Sequence, residues 1–328
     1  MKKILQRLTE HQTLTKAEAK EALHAISNGE VNASQMAAFL TVFMMRSITV
    51  DELSGFRETL QELCVPIDFS EFNTIDLCGT GGDSKNTFNI STLASLVVAG
   101  AGEKVAKHGN YSVSSSCGSS NVMEYFGYKF TNNSDVLRNQ LDKQGICFLH
   151  APLFHPAMKA VGPIRRELGM KTFFNVLGPL INPSSPQNQI AGVYNLETMR
   201  MYNYMLQQTN RNYIIIHSLD GYDEISLTGD FKTISNTSEQ VITPEEIGFK
   251  QLKEEDLFGG NSVVEAAKIF ETILQGKGSE AQNSAVLANA AMAIKCISQS
   301  TNFEQCVERA KDALLGGKAL KVLKGIVE

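Results

Sequence analysis

The chain has 328 residues, of which 43% are hydrophobic and 20% charged, and its formal net charge is −5. That is enough for one large domain or two ordinary ones, with the composition of a water-soluble globular protein. The acidic balance argues against a general nucleic-acid binder, no apolar run reaches the length of a membrane span, and six scattered cysteines without a Cys-x-x-Cys pair argue against a zinc site or a disulfide framework. Met1-Lys-Lys-Ile-Leu-Gln-Arg turns polar at once, unlike a secretory signal, so a reducing cytoplasm is expected.

Residues 1–65 read as helices only. Thr15-Lys-Ala-Glu18 is a capping box before Ala19 to Ile26, Ser34 opens an apolar helix through Met45, and Thr49-Val-Asp-Glu52 caps Leu53 to Leu63. These three helices form a small helical part that stops at Val65-Pro66, because proline turns its predecessor away from helix. From residue 73 short apolar runs alternate with helical patterns. The runs are Thr74–Cys78, Lys104–Ala106, Ile146–Leu149, Ile190–Tyr194 and Tyr213–His217; the helical stretches are Ser91–Ala101, Ser119–Phe126, His155–Leu168 and Leu196–Thr209. Such alternation predicts a mostly parallel sheet with crossover helices, whose ligands bind beyond the carboxyl ends of the strands. Residues 225–245 read as a short meander. The tail is helical, with Ser262 and Ser279 as caps and Gly316-Gly317 between the last two helices.

Five segments carry chemistry. Asp76-Leu-Cys-Gly-Thr-Gly-Gly-Asp83 follows the first strand and leads through Asn89-Ile-Ser-Thr92 into a helix. Glycines let backbone approach an anion closely, and a helix start favours one. The segment is neither a Walker A loop nor a dinucleotide fingerprint. Asp83 would repel a bare phosphate, which suggests a hydroxyl-rich or metal-bridged ligand. Lys107-His-Gly-Asn-Tyr-Ser-Val-Ser-Ser115 follows the second strand and offers one cation with several hydroxyls to a phosphate. His150-Ala-Pro-Leu-Phe-His155 lacks metal-ligand spacing and suits the wall of an aromatic pocket. Arg165 or Arg166, in Val161 to Gly169, suits a carboxylate, and periodicity does not choose between them. Asp220-Gly-Tyr-Asp223-Glu224, after the fifth strand, suits a magnesium ion, an acid–base pair or a plain acidic turn. Taken singly, each segment also fits an ordinary loop.

In order and together, these segments resemble the anthranilate phosphoribosyltransferase family over essentially the whole chain. The resemblance implies a small helical domain (1–66, joined by helices from about 155–185) beside a larger α/β catalytic domain (73–328), assembled as a homodimer through the helical parts. It implies that phosphoribosyl pyrophosphate is held by Gly79, Gly82, Asp83, Thr87, Asn89, Ile90, Ser91, Thr92, Lys107, His108, Gly109, Asn110, Tyr111, Ser112, Val113, Ser114, Ser115 and Ser119. Anthranilate contacts fall on Gly79, Asn110 and Arg165, and magnesium (Mg2+) ligands on Ser91, Asp223 and Glu224; His108, Gly178 and Pro179 are pocket walls. The implied reaction moves phosphoribose from its pyrophosphate to the amine of anthranilate, in tryptophan biosynthesis, with no residue assigned as general acid or base. Two positions depart from the family pattern: Tyr111 stands where arginine is common, and Ser116 where lysine or arginine is common. The alternatives are a pyrimidine nucleoside phosphorylase-like enzyme, whose glycine loop differs, and a non-catalytic nucleic-acid-binding relative, which the acidic charge disfavours.

Overall fold

The structure, a computed structural model, describes residues 1–111 and 117–328. Four helices open the chain: α1 (Lys2–Thr9), α2 (Lys16–Ser27), α3 (Ala33–Met45) and α4 (Val50–Glu62). Both expected capping boxes form, at Thr15 with Glu18 and at Thr49 with Glu52. The first helix is an addition to the three expected. It has eight residues, no side-chain cap, and one buried residue, Leu8, so its sequence signal is slight.

The remaining elements alternate. They run β1 (Thr74–Gly79), α5 (Ile90–Gly100), β2 (Lys104–Gly109), α6 (Ser119–Tyr125), α7 (Ser134–Gln144), β3 (Ile146–His150), α8 (Ala151–Phe154), α9 (Met158–Leu168), α10 (Phe173–Leu177), β4 (Asn188–Gly192), α11 (Leu196–Leu206) and β5 (Asn212–Ser218). The hairpin strands β6 (Phe231–Ser235) and β7 (Glu239–Ile242) follow, then α12 (Val263–Leu274), α13 (Glu280–Ile297), α14 (Phe303–Leu315) and α15 (Lys318–Val327). The sheet order is β3-β2-β1-β4-β5-β6-β7. The first five strands are parallel, and β6 and β7 add antiparallel at one edge.

Two helical expectations change. The stretch 155–168 becomes helical only at Met158, and a separate turn, α8, precedes it, because His155 leaves helical geometry (φ −116°, ψ 76°) just before Pro156. Helix α7 has no counterpart in the sequence reading; only Leu137 and Leu141 of its eleven residues are buried, too few to make a periodic stripe.

Helix α5 is buried from Thr92 to Ala99 and packs against α13, so it runs through the centre of the α/β core. The second core joins α1–α4 to α9, α10 and α11 and to one face of β4 and β5. In it Phe173 of α10 stacks on Phe56 of α4 with ring centroids 4.5 Å apart. That contact seats the α9–α10 corner on the helical bundle and brings it over the strand ends. The strand order reverses between β1 and β4, and the crevice beyond their carboxyl ends is where an open α/β sheet takes its ligand.

Candidate active site

A cleft of about 570 Å3 occupies that crevice. Its floor is the loop from Gly79 to Asp83, made possible by Gly81 (φ +62°) and Gly82 (φ +78°) in the left-handed region. Behind the loop, Asp223 lies so close that a Cβ on Gly79 would stand 2.3 Å from its Oδ2, and one on Gly192 would stand 1.7 Å from its carbonyl oxygen. The Gly81 N–H donates to Asp223 Oδ2 at 2.7 Å. The Ser91 N–H, at the start of α5, donates to Glu224 Oε1 at 3.0 Å.

Asp223 is buried and Glu224 half-buried. Burial first, then repulsion from Asp83, pushes Asp223 up to about 7; burial, then repulsion from Asp223 and Asp83, pushes Glu224 up to about 8. Three acids crowded this way call for a cation. Among the described residues, no three His, Cys, Asp or Glu side chains are arranged to hold a metal by themselves. Magnesium fits that donor set: it commonly takes one or two carboxylates, with substrate phosphate and water completing the shell.

The second wall is the end of β2. The Lys107 ammonium donates to the Leu77 carbonyl and lies beneath the loop, almost wholly buried. The His108 N–H donates to Asp76 Oδ1 at 3.1 Å, and its ring Nδ1 lies 3.0 Å from the Gly178 carbonyl. Burial holds His108 down to about 3 and His155, whose ring centroid is 5.2 Å away, down to about 4. Both imidazoles are therefore neutral at ordinary pH. Asn110, Tyr111 and Ser119 also line the cleft. Tyr111 turns outward: its hydroxyl donates to Glu124 at 2.5 Å and its ring meets His150 edge-on at 4.8 Å.

The third wall is α9. Met158, Gly162 and Arg165 face the cleft at helical spacing. The Arg165 Nη2 donates to Asn175 Oδ1 at 3.2 Å, and its guanidinium carbon lies 5.5 Å from the centre of the Phe174 ring. Arg165 is half-buried, and burial lowers its pKa, whereas Arg166 is exposed at the rim.

Of the site residues named from sequence, Ser112, Val113, Ser114 and Ser115 lie outside the described residues, as does Ser116. Ile90 has its side chain in the α/β core and can meet a ligand only through its backbone. The others line the cleft together, except Pro179, which is buried with its carbonyl accepting from the Gln189 side chain, and His150, which is buried against Ser120 and Phe130. Sequence reasoning missed Met158, Lys159, Gly162, Phe174, Asn175 and Ile181 as lining residues. The i, i+4, i+7 spacing of Met158 and Gly162 with Arg165 was the signal available for two of these wall positions.

A helical bundle beside an α/β body, with a glycine-floored cleft at the strand ends, is the two-domain arrangement of a glycosyl transferase family. The model of the glycosyl transferase family a/b domain matches residues 71–320, and that of its helical bundle domain matches residues 2–64. The chain belongs to the anthranilate phosphoribosyltransferase family. It is 62% identical to the anthranilate phosphoribosyltransferase of Flavobacterium psychrophilum over 324 residues, which are 99% of this chain and 98% of that one. Among solved structures, the anthranilate phosphoribosyltransferase from Thermus thermophilus superposes with a TM-score of 0.89 at 30% identity, over 98% of both chains. The enzyme from Saccharomyces cerevisiae in complex with PRPP and Mg superposes with a TM-score of 0.89 at 25% identity, over 98% of this chain and 95% of that one.

Proposed function

We propose that this chain transfers the phosphoribosyl group of 5-phosphoribosyl 1-pyrophosphate to the amine of anthranilate, giving N-(5-phosphoribosyl)anthranilate and pyrophosphate, as a step of tryptophan biosynthesis. One observation carries the reading: the glycine loop, the Lys107–Asn110 strand end, the Asp223–Glu224 pair and Arg165 face one another across a single cleft.

The ribose C1–O bond to pyrophosphate breaks as the aryl nitrogen forms its bond to C1. Positive charge develops on the sugar ring and negative charge on the leaving group. An aryl amine is neutral near pH 7 and attacks with its own lone pair, so the protein need not supply a nucleophile. The thiols nearby are poor candidates for one, since burial pushes Cys117 up to about 11 and Cys78 higher still. Catalysis here is alignment and charge stabilisation.

Gly79, Gly82 and Asp83 of the loop, with Thr87, Asn89 to Thr92, Lys107 to Ser115 and Ser119, take the phosphoribosyl pyrophosphate. Arg165 takes the anthranilate carboxylate, and Asn110 and Gly79 border its ring. Asp223, Glu224 and Ser91 would hold magnesium, which supplies neutralisation of pyrophosphate charge when bound. The same reading takes the working unit as a cytoplasmic homodimer paired through the helical parts; sedimentation tests the dimer. Among the described residues no helix is long and apolar enough to cross a membrane.

Loss of anthranilate fluorescence tests the reaction. Loss is expected only when both phosphoribosyl pyrophosphate and magnesium are present. A purified chain that leaves the fluorescence unchanged with both would overturn the reading.

A further inference from the structure

Given the transfer reaction proposed above, we propose that Lys171 is a positioning residue that ties the glycine loop to the α9–α10 turn and holds it in the form that receives phosphoribosyl pyrophosphate. The Lys171 ammonium donates to the Gly82 carbonyl and, at 2.9 Å, to Ser84 Oγ. Its methylenes lie along the loop: a Cβ built on Gly82 would stand 3.4 Å from Lys171 Cδ and 3.5 Å from Cε. Ser84 has φ +62°, a left-handed conformation that a side chain disfavours, so this part of the loop needs support from outside.

The base of Lys171 is fixed at both ends. Gly169 closes α9 in the left-handed conformation (φ +61°), and the Thr172 N–H opens α10 by donating to Asn175 Oδ1 at 3.1 Å. The same Asn175 oxygen accepts from Arg165. Phe173, two residues beyond Lys171, is stacked on Phe56 of the helical bundle. Lys171 thus reaches from the α9–α10 corner, which also carries Arg165, to the glycine loop. Further along the loop the hold is different: the Phe88 N–H donates to the Leu257 carbonyl at 3.0 Å and the Gly259 N–H to the Asn86 carbonyl at 2.7 Å. At residues 82–84 the bonds from outside the loop include those of Lys171, beside the local bond from the Lys85 N–H to Asp83 Oδ1 at 3.0 Å.

A residue that orders a binding loop before the ligand arrives lowers the cost of binding and leaves the bound complex little changed. Lys171→Met keeps the length of the stem and removes the donor; Lys171→Arg keeps a donor. The KM for phosphoribosyl pyrophosphate is expected to rise about five- to tenfold in Lys171→Met, the loss of a charge-assisted bond, while kcat and the anthranilate KM stay within about twofold. Lys171→Arg should restore most of the difference. In the substrate-free protein, amide hydrogen exchange across residues 79–89 should speed up in Lys171→Met alone. An unchanged KM for phosphoribosyl pyrophosphate overturns the proposal. So does a raised KM with unchanged exchange, because Lys171 then acts on the ligand and not on the loop. A wild-type chain without transfer activity fails the reaction reading instead, and the exchange comparison then decides alone whether Lys171 holds the loop.

Discussion

Gly79 and Asp223 pack with no room between them for a side chain: a Cβ on the glycine would come within 2.3 Å of Asp223 Oδ2 and 2.9 Å of its carboxyl carbon. The carboxylate cannot swing aside easily, because it also accepts the Gly81 N–H and its own carbonyl is pressed against Gly192. Gly79→Ala therefore moves Asp223 out of the cleft or distorts the glycine loop. Transfer activity should fall about a hundredfold, the cost of misplacing a reacting group by about 1 Å. Circular dichroism and thermal unfolding should show that the variant still folds. A Gly79→Ala enzyme with normal kcat and KM would mean that Asp223 and the loop do not set the geometry of the reaction.

The raised pKa values of Asp223 and Glu224 give the metal-free protein a specific pH dependence. Both acids ionise near 4 in an unfolded chain, and near 7 and 8 in the fold, where burial and mutual repulsion favour the protonated form. The folded state thus holds protons that the unfolded state has released. The stability this contributes is full below about pH 4 and is lost as pH rises through 7 to 8. Without magnesium, the thermal midpoint should fall between about pH 6 and pH 8; with magnesium the fall should shrink, because the cation stabilises the charged carboxylates. Asp223→Asn with Glu224→Gln should remove most of the pH slope and all of the magnesium effect on the midpoint. The same double variant should lose most transfer activity and the magnesium dependence of what remains. A midpoint insensitive to magnesium in the wild type would remove these acids as its ligands.

The elements that carry this chemistry were legible because their signals are local. The glycine cluster after β1, the small polar residues opening α5, and the acids after β5 each announce themselves within ten residues, and the alternation of strands and helices puts them at one edge of the sheet. What escaped is non-local. Lys171 touches Gly82 across 89 positions of sequence, and nothing in Lys171-Thr-Phe-Phe-Asn175 marks that lysine as different from a surface charge. Helix α7 escaped for another reason: its Asn133 cap and Gly145 stop are present, but its composition is polar and its buried stripe is two leucines. The choice between Arg165 and Arg166 also needed the structure, since adjacent helix positions point about 100° apart and only the packing of α9 says which way.

Arg165→Ala should raise the anthranilate KM about tenfold to a hundredfold, the worth of a charge-assisted pair of about 1.5–3 kcal/mol, with a much smaller change in the KM for phosphoribosyl pyrophosphate. Arg166→Ala should change the anthranilate KM by no more than about twofold, because an exposed, solvated charge contributes little. Arg165 is fixed for its task by Asn175 and by the face of Phe174. Steady-state kinetics at saturating phosphoribosyl pyrophosphate checks both. Equal effects of the two substitutions would show that the wall acts through net positive charge and not through one positioned guanidinium.

Tyr111 stands where the resemblance implies a positive charge, and Tyr111→Arg will not by itself bring one to the ligand. The Tyr111 hydroxyl donates to Glu124, and the ring sits against His150, which is itself stacked on Phe130 at 4.4 Å. An arginine at this position would meet the Glu124 carboxylate before it met a pyrophosphate. Tyr111→Arg alone should therefore leave the KM for phosphoribosyl pyrophosphate within about twofold, since an exposed ion pair holds the guanidinium at little net gain. Adding Glu124→Gln frees the guanidinium, and the double variant should lower that KM by about two- to fivefold, or about 0.5–1 kcal/mol for one solvated charge near the ligand. The gain should not appear in kcat, because a remote charge helps bound substrate and transition state alike. It should also shrink as salt rises. The comparison of single and double variants at low and high ionic strength checks the account. If Tyr111→Arg by itself tightens binding as much as the double variant does, Glu124 does not hold position 111 away from the ligand.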